Sequence, residues 1–323
     1  MPRCLFCLTQ HDDVTDEHVF MAAIGGKLVV KGSCVQCNNA LNKAFEEKMV
    51  RRLADFRRVL RIPGRRGEFP TIDTKIEVNG KEMDGKLLSD GSIRLRPLPP
   101  TKRVRDGVEE TVYEHVNDKQ KEELRRHARE KGLELIEETT PGIEVQGYFS
   151  GDLDFIDSAE MLRTAAKTAY TALALRMGLD FAMGDTFNDL RAYILTGTGS
   201  PNPKLFLNAD FLAACAQGPH QHSVVLVGRN DKHRVDAIVR FFGGLCYFVN
   251  LAEGYAGADF FDTLVYDAQR GETNKTLVVH EQAEFLQMDE VCGSKETVWN
   301  DRVQSGEWFV KFLDEAVSAK PSS

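Results

Sequence analysis

Two pairs of closely spaced cysteines constrain the fold of this chain more than any other feature. Cys4 and Cys7 form one C-x-x-C unit, and Cys34 and Cys37 form a second unit after 26 intervening residues. Each unit can present two thiolates, and four thiolates complete the tetrahedral shell of a structural zinc ion. A segment this short buries little apolar surface, so a metal would supply much of its folding free energy. The spacing therefore predicts a zinc-stapled N-terminal module, with two unrelated thiol pairs or a redox motif as the alternative.

Charge is distributed unevenly along the 323 residues, whose composition of 42% hydrophobic and 28% charged residues is that of a globular protein with two or three domains. Residues 1–66 contain twelve Lys and Arg against seven Asp and Glu, a local charge of +5, so the remainder of a chain with net charge −8 carries −13. This asymmetry indicates an anion-binding head on an acidic body. No apolar run reaches the roughly 18 residues that span a bilayer, and the N-terminus lacks the apolar segment of a secretory signal. We therefore expect no membrane partner and a cytoplasmic location.

The segment after the second cysteine pair has the periodicity of an amphipathic helix between Leu41 and Ile62. Apolar residues recur there at spacings of three and four, which places them on one face: Phe45, Met49, Leu53, Phe56 and Leu60. A basic face should lie opposite, made of Lys48, Arg51, Arg57, Arg58 and Arg61. Pro63 and Gly64 end the helix. Such a face is either solvated or in contact with phosphates.

The rest of the chain predicts an α+β body in which helices accompany antiparallel strands rather than repeated βαβ units. We divide the chain into an N-terminal module (1–62), a β-rich middle region (63–150) and an α+β recognition or regulatory body (151–323). Predicted strands include a hairpin around Asn79-Gly80 and runs at 92–98, 143–149, 222–227, 235–242, 245–251 and 276–280. Predicted helices cover 118–131, 158–177, 186–195 and 306–318.

Three further motifs lie between and after the cysteine pairs: Glu17-His18-Val19-Phe20, then Gly25-Gly26, then Asn38 directly after Cys37. In order and spacing this segment resembles the HNH endonucleases, in particular the branch that reads C-x-x-C, E-H-V-I-P, Gly-Gly and C-x-x-C-N. The resemblance covers residues 4 to about 60. It implies a β-hairpin and helix around a metal, the ββα-metal fold, and hydrolysis of phosphodiester bonds.

The resemblance also implies a role for each motif residue. His18 would be the general base, Glu17 and Asn38 would be ligands of a catalytic Mg²⁺ or Mn²⁺ ion, and the zinc would stay structural. Hard divalent ions accept carboxylate and amide oxygens, and a histidine of near-neutral pKa can take a proton from water. Beside such a site, phosphate contact becomes the favoured role of the basic residues Lys48, Arg51, Arg57, Arg58 and Arg61.

Two positions depart from the family pattern. Met21 stands where the family has proline, and no asparagine before Cys34 corresponds to the one that orients the base. Asn39 and Asn42 are nearby residues that could serve as ligands or phosphate contacts. These departures leave open a zinc-containing nucleic-acid-binding module without catalysis.

The leading hypothesis is a metal-dependent endonuclease acting on DNA, with RNA as the open alternative and with restriction or anti-phage defence as the context that the resemblance implies. A third hypothesis makes residues 63–323 a small-molecule sensor with the nuclease as its output, so a regulatory ligand or a homo-oligomer stays open. His220 and His222 could share one face of a strand, but no third metal ligand is evident beside them. Cys246 lies within an apolar strand and is expected to be a core thiol.

Overall fold

The computed structural model describes residues 1–64, 67–78, 81–89, 93–96, 100–113, 118–134, 136, 145–148, 155–199, 203–205 and 218–274. The chain forms two compact units, one made of residues 1–68 together with those from Asp152 onward, the other made of Phe69–Gly151. The first and third regions of the predicted division thus lie in the same unit. The predicted α+β class, with antiparallel sheets, is confirmed. Within the described ranges, no helix is long and apolar enough to cross a membrane.

The N-terminal module is a two-stranded ribbon followed by a broken helix. Strand β1 (Thr15–His18) pairs antiparallel with β2 (Val29–Ser33), and a 3-10 turn (Ala22–Ile24) lies between them. The helical segment consists of α1 (Val35–Leu41), a π-helical turn (Asn42–Glu46), α2 (Glu47–Arg52) and α3 (Ala54–Val59). It begins six residues earlier than predicted, because the Cys34 thiol accepts a hydrogen bond from the Cys37 N–H and so caps the helix. The predicted apolar face is confirmed, since all five of its residues are buried.

The second unit contains two small sheets and one helix. Its elements are β3 (Ile72–Val78), β4 (Lys81–Leu87), β5 (Ile93–Leu95), β6 (Thr101–Arg105), β7 (Val108–Val112), α4 (Asp118–Lys131) and β8 (Val145–Tyr148). Strands β5-β4-β3-β8 form one sheet in that order, and β6 pairs with β7. The predicted hairpin is confirmed, because Val78 pairs with Lys81 across a two-residue connection.

The first unit continues with helices and a large sheet. The helices are α5 (Ala159–Met177), α6 (Leu179–Ala182) and α7 (Asn188–Thr196), with a 3-10 turn (Asp185–Phe187) before the last. The strands are β9 (Lys204–Leu205), β10 (Gln221–Arg229), β11 (Arg234–Phe241), β12 (Leu245–Glu253), β13 (Phe260–Asp267) and β14 (Glu272–Asn274). They form an antiparallel sheet in the order β14-β13-β10-β11-β12-β9.

Most of these elements match the sequence prediction. The Ser158 hydroxyl accepts a hydrogen bond from the Met161 N–H and caps α5, as expected. Strand β13 was not predicted, because Asp262 and Thr263 interrupt its apolar pattern. The strand predicted at 276–280 and the helix predicted at 306–318 lie outside the described residues.

One hydrophobic core joins the N-terminal module to the body. Residues of the module helix and of α5, β10, β11 and β12 belong to the same buried cluster. The ring of Phe56 lies 5.7 Å from that of Phe155, and the ring of Phe20 is stacked 6.0 Å from that of Tyr266. The module therefore buries its apolar face against the body, and this burial contributes to its stability independently of any metal.

The Gly25-Gly26 pair is required by a tight turn that closes the ribbon. Gly25 has φ +90° and ends the 3-10 turn, a left-handed conformation that favours glycine. At Gly26 an added Cβ would lie 1.9 Å from the carbonyl oxygen of Phe20. Backbone atoms, unlike flexible side-chain ends, cannot yield to such a clash locally.

We expect Gly26→Ala to destabilise the protein by about 3 kcal/mol, the upper end of the usual cost of overpacking, because the clash is with backbone. The matched control is Gly218→Ala, because the space around Gly218 is open. Urea unfolding followed by circular dichroism measures both variants. Equal stability of Gly26→Ala and wild type would mean that the turn relaxes freely.

Candidate active site and metal centre

The four paired cysteines converge on one point. Their Sγ atoms all lie within 4.8 Å of one another, and the Cys7 and Cys34 sulfurs are 4.0 Å apart. A tetrahedral zinc site with Zn–S bonds of about 2.3 Å has sulfurs about 3.8 Å apart, so the cluster fits a zinc ion with slight contraction. The backbone N–H of Cys34 donates to the Cys4 sulfur at 3.3 Å, and that of Cys37 donates to the Cys34 sulfur at 3.4 Å. Such N–H···S bonds stabilise thiolates.

The thiols of this cluster differ in their surroundings. Burial raises the pKa of Cys4 and of Cys37. Partial burial also raises the pKa of Cys7, but hydrogen bonds from His11 and Thr9 outweigh it and lower that pKa to about 6. The buried thiols require a bound cation to stay deprotonated, which is the condition that zinc provides.

His18 and Glu17 are neighbours at the end of β1. His18 pairs with Val29 and is half-buried, whereas Glu17 pairs with Val30 and is only 3% exposed. Successive side chains of a strand point to opposite faces. The predicted base and the predicted metal ligand are therefore adjacent in sequence but on opposite faces of the ribbon. Glu17 lies on the inner face and His18 on the other face.

Asn38 connects the first turns of α1 to β1. Its Nδ2 donates to the Thr15 hydroxyl at 3.3 Å, and that hydroxyl donates to the Ser33 carbonyl at 2.9 Å. Because a hydroxyl has one proton, Thr15 can only accept from Asn38, which fixes the orientation of the amide. The Asn38 carbonyl oxygen therefore points away from Thr15. Thr15 lies two residues before Glu17 on β1, across a register shift between Thr15 and Asp16.

Sequence reasoning missed the residue that contacts Glu17. Lys167, in the middle of α5, is 4% exposed, and its ammonium pairs with the carboxylates of both Glu17 and Glu46. Burial lowers the pKa of Lys167, but the two carboxylates outweigh it, so its pKa is raised and it stays charged. Burial raises the pKa of Glu17, while Lys167 opposes that rise. The signal available in the sequence was a single lysine inside an otherwise apolar and small-residue stretch.

This cluster retains capacity for another cation. Oε1 of Glu17 pairs with Lys167 and the Ser33 side chain also interacts with the carboxylate, while Oε2 is buried without a well-aligned hydrogen bond from the described part of the chain. Two carboxylates and one ammonium carry a net charge of −1. The unsatisfied carboxylate oxygen of Glu17 and the amide oxygen of Asn38 are hard donors of the type that Mg²⁺ and Mn²⁺ prefer. The residues present thus fit a divalent ion in donor type and charge.

The predicted basic face is only partly formed. Lys48 and Arg51 are both exposed. Lys48 pairs with Glu160 at 2.7 Å, and Arg51 pairs with Glu47. Arg61 is exposed and Arg58 is half-buried.

Arg57 departs from this face, because it is 7% exposed and burial lowers its pKa. At 100° per residue, Arg57 directly follows the buried Phe56 and lies at the border of the apolar face, so its assignment to the opposite, basic face was wrong.

The two histidines at 220 and 222 contact backbone. The Phe242 N–H donates to Nδ1 of His222 at 3.1 Å, so Nε2 carries the proton and donates to the Ile24 carbonyl at 3.0 Å. Burial lowers the pKa of His222 to about 4. Nε2 of His220 lies 2.8 Å from the Leu60 carbonyl. In the described residues, the four cysteines are the one group of three or more metal-ligating side chains, and Cys246 is buried in β12, as expected.

Comparison with protein families agrees with this geometry. A family model described as HNH endonuclease matches residues 4–54. The similarity to this family is confined to the N-terminal segment. The matched residues, called the HNH domain below, include the four cysteines, Glu17, His18 and Asn38. The match indicates a nuclease in general terms. No curated protein and no solved structure matches the chain.

Purified protein should contain one zinc ion per chain, because four sulfurs close a tetrahedral shell. Cys37→Ser should lower both the zinc content and the melting temperature. Cys246→Ala removes a buried thiol elsewhere and should keep the zinc. Elemental analysis after gel filtration distinguishes these outcomes, and native protein without zinc would contradict the assignment.

Stability should decrease as the pH falls from about 6.5 to 4, because His222 has a pKa of about 4 when folded and its ordinary 6.5 when unfolded. The unfolded state binds more protons in that window, so the free energy of unfolding falls by up to about 3 kcal/mol from this group. His222→Gln should show a flatter dependence than wild type in urea unfolding at pH 7, 6 and 5. Acid release of zinc affects both proteins, so identical slopes would exclude His222 as the source.

Proposed function

We propose that this protein is a metal-dependent endonuclease that hydrolyses phosphodiester bonds of DNA. The observation that carries the proposal is the HNH family match over residues 4–54, a range that contains His18, Glu17 and Asn38. The buried Oε2 of Glu17 supports it, because no described residue gives it a well-aligned hydrogen bond, whereas a purely structural carboxylate is normally satisfied.

The proposed mechanism assigns one task to each residue. The neutral imidazole of His18, half-buried at the end of β1, takes the proton of the attacking water. Glu17 and Asn38 would hold a Mg²⁺ or Mn²⁺ ion, which when bound neutralises the phosphate charge that opposes attack. Cys34 is both a cysteine of the cluster and the cap of α1, so the zinc cluster fixes the start of the helix that carries Asn38. Zinc itself takes no part in the chemistry, because four thiolates leave no open position.

Charge supports nucleic acid as the substrate. Residues 1–66 carry +5 and the remainder carries −13. The exposed side chains of Lys48, Arg51 and Arg61 are available for phosphate contacts, with the half-buried Arg58 at their edge. The acidic remainder opposes extended contact of the body with DNA. We propose restriction or anti-phage defence in the cytoplasm as the context, by analogy with the family alone.

A zinc-containing nucleic-acid-binding module without catalysis is the second candidate. The observation that favours it is the ion pair between Glu17 and Lys167, because an ammonium already engages the carboxylate that would hold the metal. Met21 and the absence of an asparagine before Cys34 point the same way. Only a cleavage measurement separates the two candidates.

His18→Ala should keep zinc, fold and DNA affinity but lower the cleavage rate by about a hundredfold or more, the usual scale for a lost general base. The substrates are supercoiled plasmid, linear DNA and RNA, with Mg²⁺ or Mn²⁺. His127→Ala is the matched control, because His127 is an exposed histidine on α4 of the other unit.

Asn38→Ala separates metal binding from base catalysis. Raising the Mn²⁺ concentration should restore part of its activity but none of that lost in His18→Ala. Equal cleavage by wild type and His18→Ala would place the base elsewhere, and no cleavage by wild type on any substrate would favour the binding module.

A further inference from the structure

We propose that Lys167 is a positioning residue that ties the strand of the catalytic base to the helix of the metal ligand. This inference rests on the proposed function. It makes helix α5, which lies outside the residues matched to the family, a working part of the nuclease site.

The contacts define the tie. The Lys167 ammonium pairs with Oε1 of Glu17, the residue directly before His18 on β1. It also pairs with Oε1 of Glu46, the last residue of the π-helical turn that continues the helix of Asn38. A single cation therefore links the two segments that hold the proposed base and the proposed metal ligand.

Burial makes this link different from a surface ion pair. The side chains of Lys167, Glu17 and Glu46 are 5%, 3% and 13% exposed. Water and salt screen exposed pairs and leave them with little energy, whereas a buried pair is weakly screened and its removal leaves an uncompensated charge. The cluster can therefore fix the positions of two backbone segments, which an exposed pair such as Lys48–Glu160 cannot do.

The same face of α5 also contacts the turn between Cys4 and Cys7, which we call the zinc knuckle. Tyr170 lies three residues after Lys167 and therefore on the same side of the helix. Its hydroxyl lies 3.0 Å from the carbonyl oxygen of Leu5, which stands between Cys4 and Cys7, and 2.8 Å from that of Ala182. Arg191 donates to the same hydroxyl at 3.1 Å. Thus α5 holds the base strand, the ligand helix and the zinc knuckle at once, and a shift of α5 would alter their spacing.

The ion pairs of Lys167 with Glu17 and Glu46 can be removed by substitution without changing the net charge of the cluster. Wild type has two carboxylates and one ammonium, and the double variant Lys167→Met/Glu46→Gln has Glu17 alone, so both carry −1. The single variant Glu46→Gln keeps the Glu17–Lys167 pair and severs only the link to the helix. It serves as the second test in case the double variant does not fold.

Both variants should keep the zinc content and the Kd for uncleaved DNA measured in Ca²⁺. Their kcat should fall ten- to a hundredfold with KM unchanged, the scale seen when groups that orient a metal ligand are removed. Titration calorimetry with MnCl₂ on the zinc-loaded protein should show a matching loss of Mn²⁺ affinity. Asp262→Asn is the control, because it breaks the exposed Arg176–Asp262 pair on the same helix, away from the HNH domain.

The outcomes separate this inference from the proposed function. Folded variants with wild-type kcat and wild-type Mn²⁺ affinity would overturn the role of Lys167, even if their melting temperature fell. If the wild type cleaves nothing but both variants bind Mn²⁺ more weakly than the wild type, the proposed function is overturned and the positioning role of Lys167 is retained. A wild type that neither cleaves nor binds Mn²⁺ would overturn both.

Discussion

The packing of the HNH domain onto helix α5 and the six-stranded sheet is the interaction on which the rest of the structure depends. A segment of about fifty residues with one ribbon and one broken helix cannot bury enough apolar surface to fold by itself. Two sources supply the deficit, the cysteine cluster at one end and the body at the other. Phe20 shows the second source, since its ring lies among those of His222, Phe241 and Tyr266. Strand β1, which ends two residues before Phe20, is thereby anchored in the core of the body.

Polar side chains of the body complete this packing at the loops. Backbone carbonyls in loops have no regular partner and must be satisfied when buried. His222 donates to Ile24, and Tyr266 donates to Gly25 at 2.9 Å, so both bonds fall on the turn that the two glycines form. Apolar contact alone tolerates sliding, whereas hydrogen bonds at defined carbonyls fix one arrangement. The position of the site residues is therefore set by the body as much as by the motif.

Local sequence signals predicted the parts of this structure that depend on local interactions. The cysteine spacing, the cap at Ser158 and the hairpin after Val78 all follow from residues close in the chain. Two features depend on distant residues and could not be predicted in this way. Lys167 meets Glu17 across 150 positions, and β13 is a strand because β10 pairs with it along its whole length.

The four-cysteine cluster and the oxygen cluster of Glu17, Glu46 and Lys167 differ in how completely their donor atoms are satisfied. The cysteine cluster offers four soft sulfur donors, which could bind zinc and would then leave no open position on the ion. The oxygen cluster is incomplete, since one ammonium faces two carboxylates and one buried oxygen of Glu17 lacks a hydrogen bond within the described residues. A buried excess of negative charge is unfavourable unless a cation or a proton balances it. A hard divalent ion with open positions for water would remove that imbalance while Lys167 keeps the carboxylate in place. The fold therefore places its unbalanced negative charge at Glu17, on the opposite face of β1 from its neighbour His18.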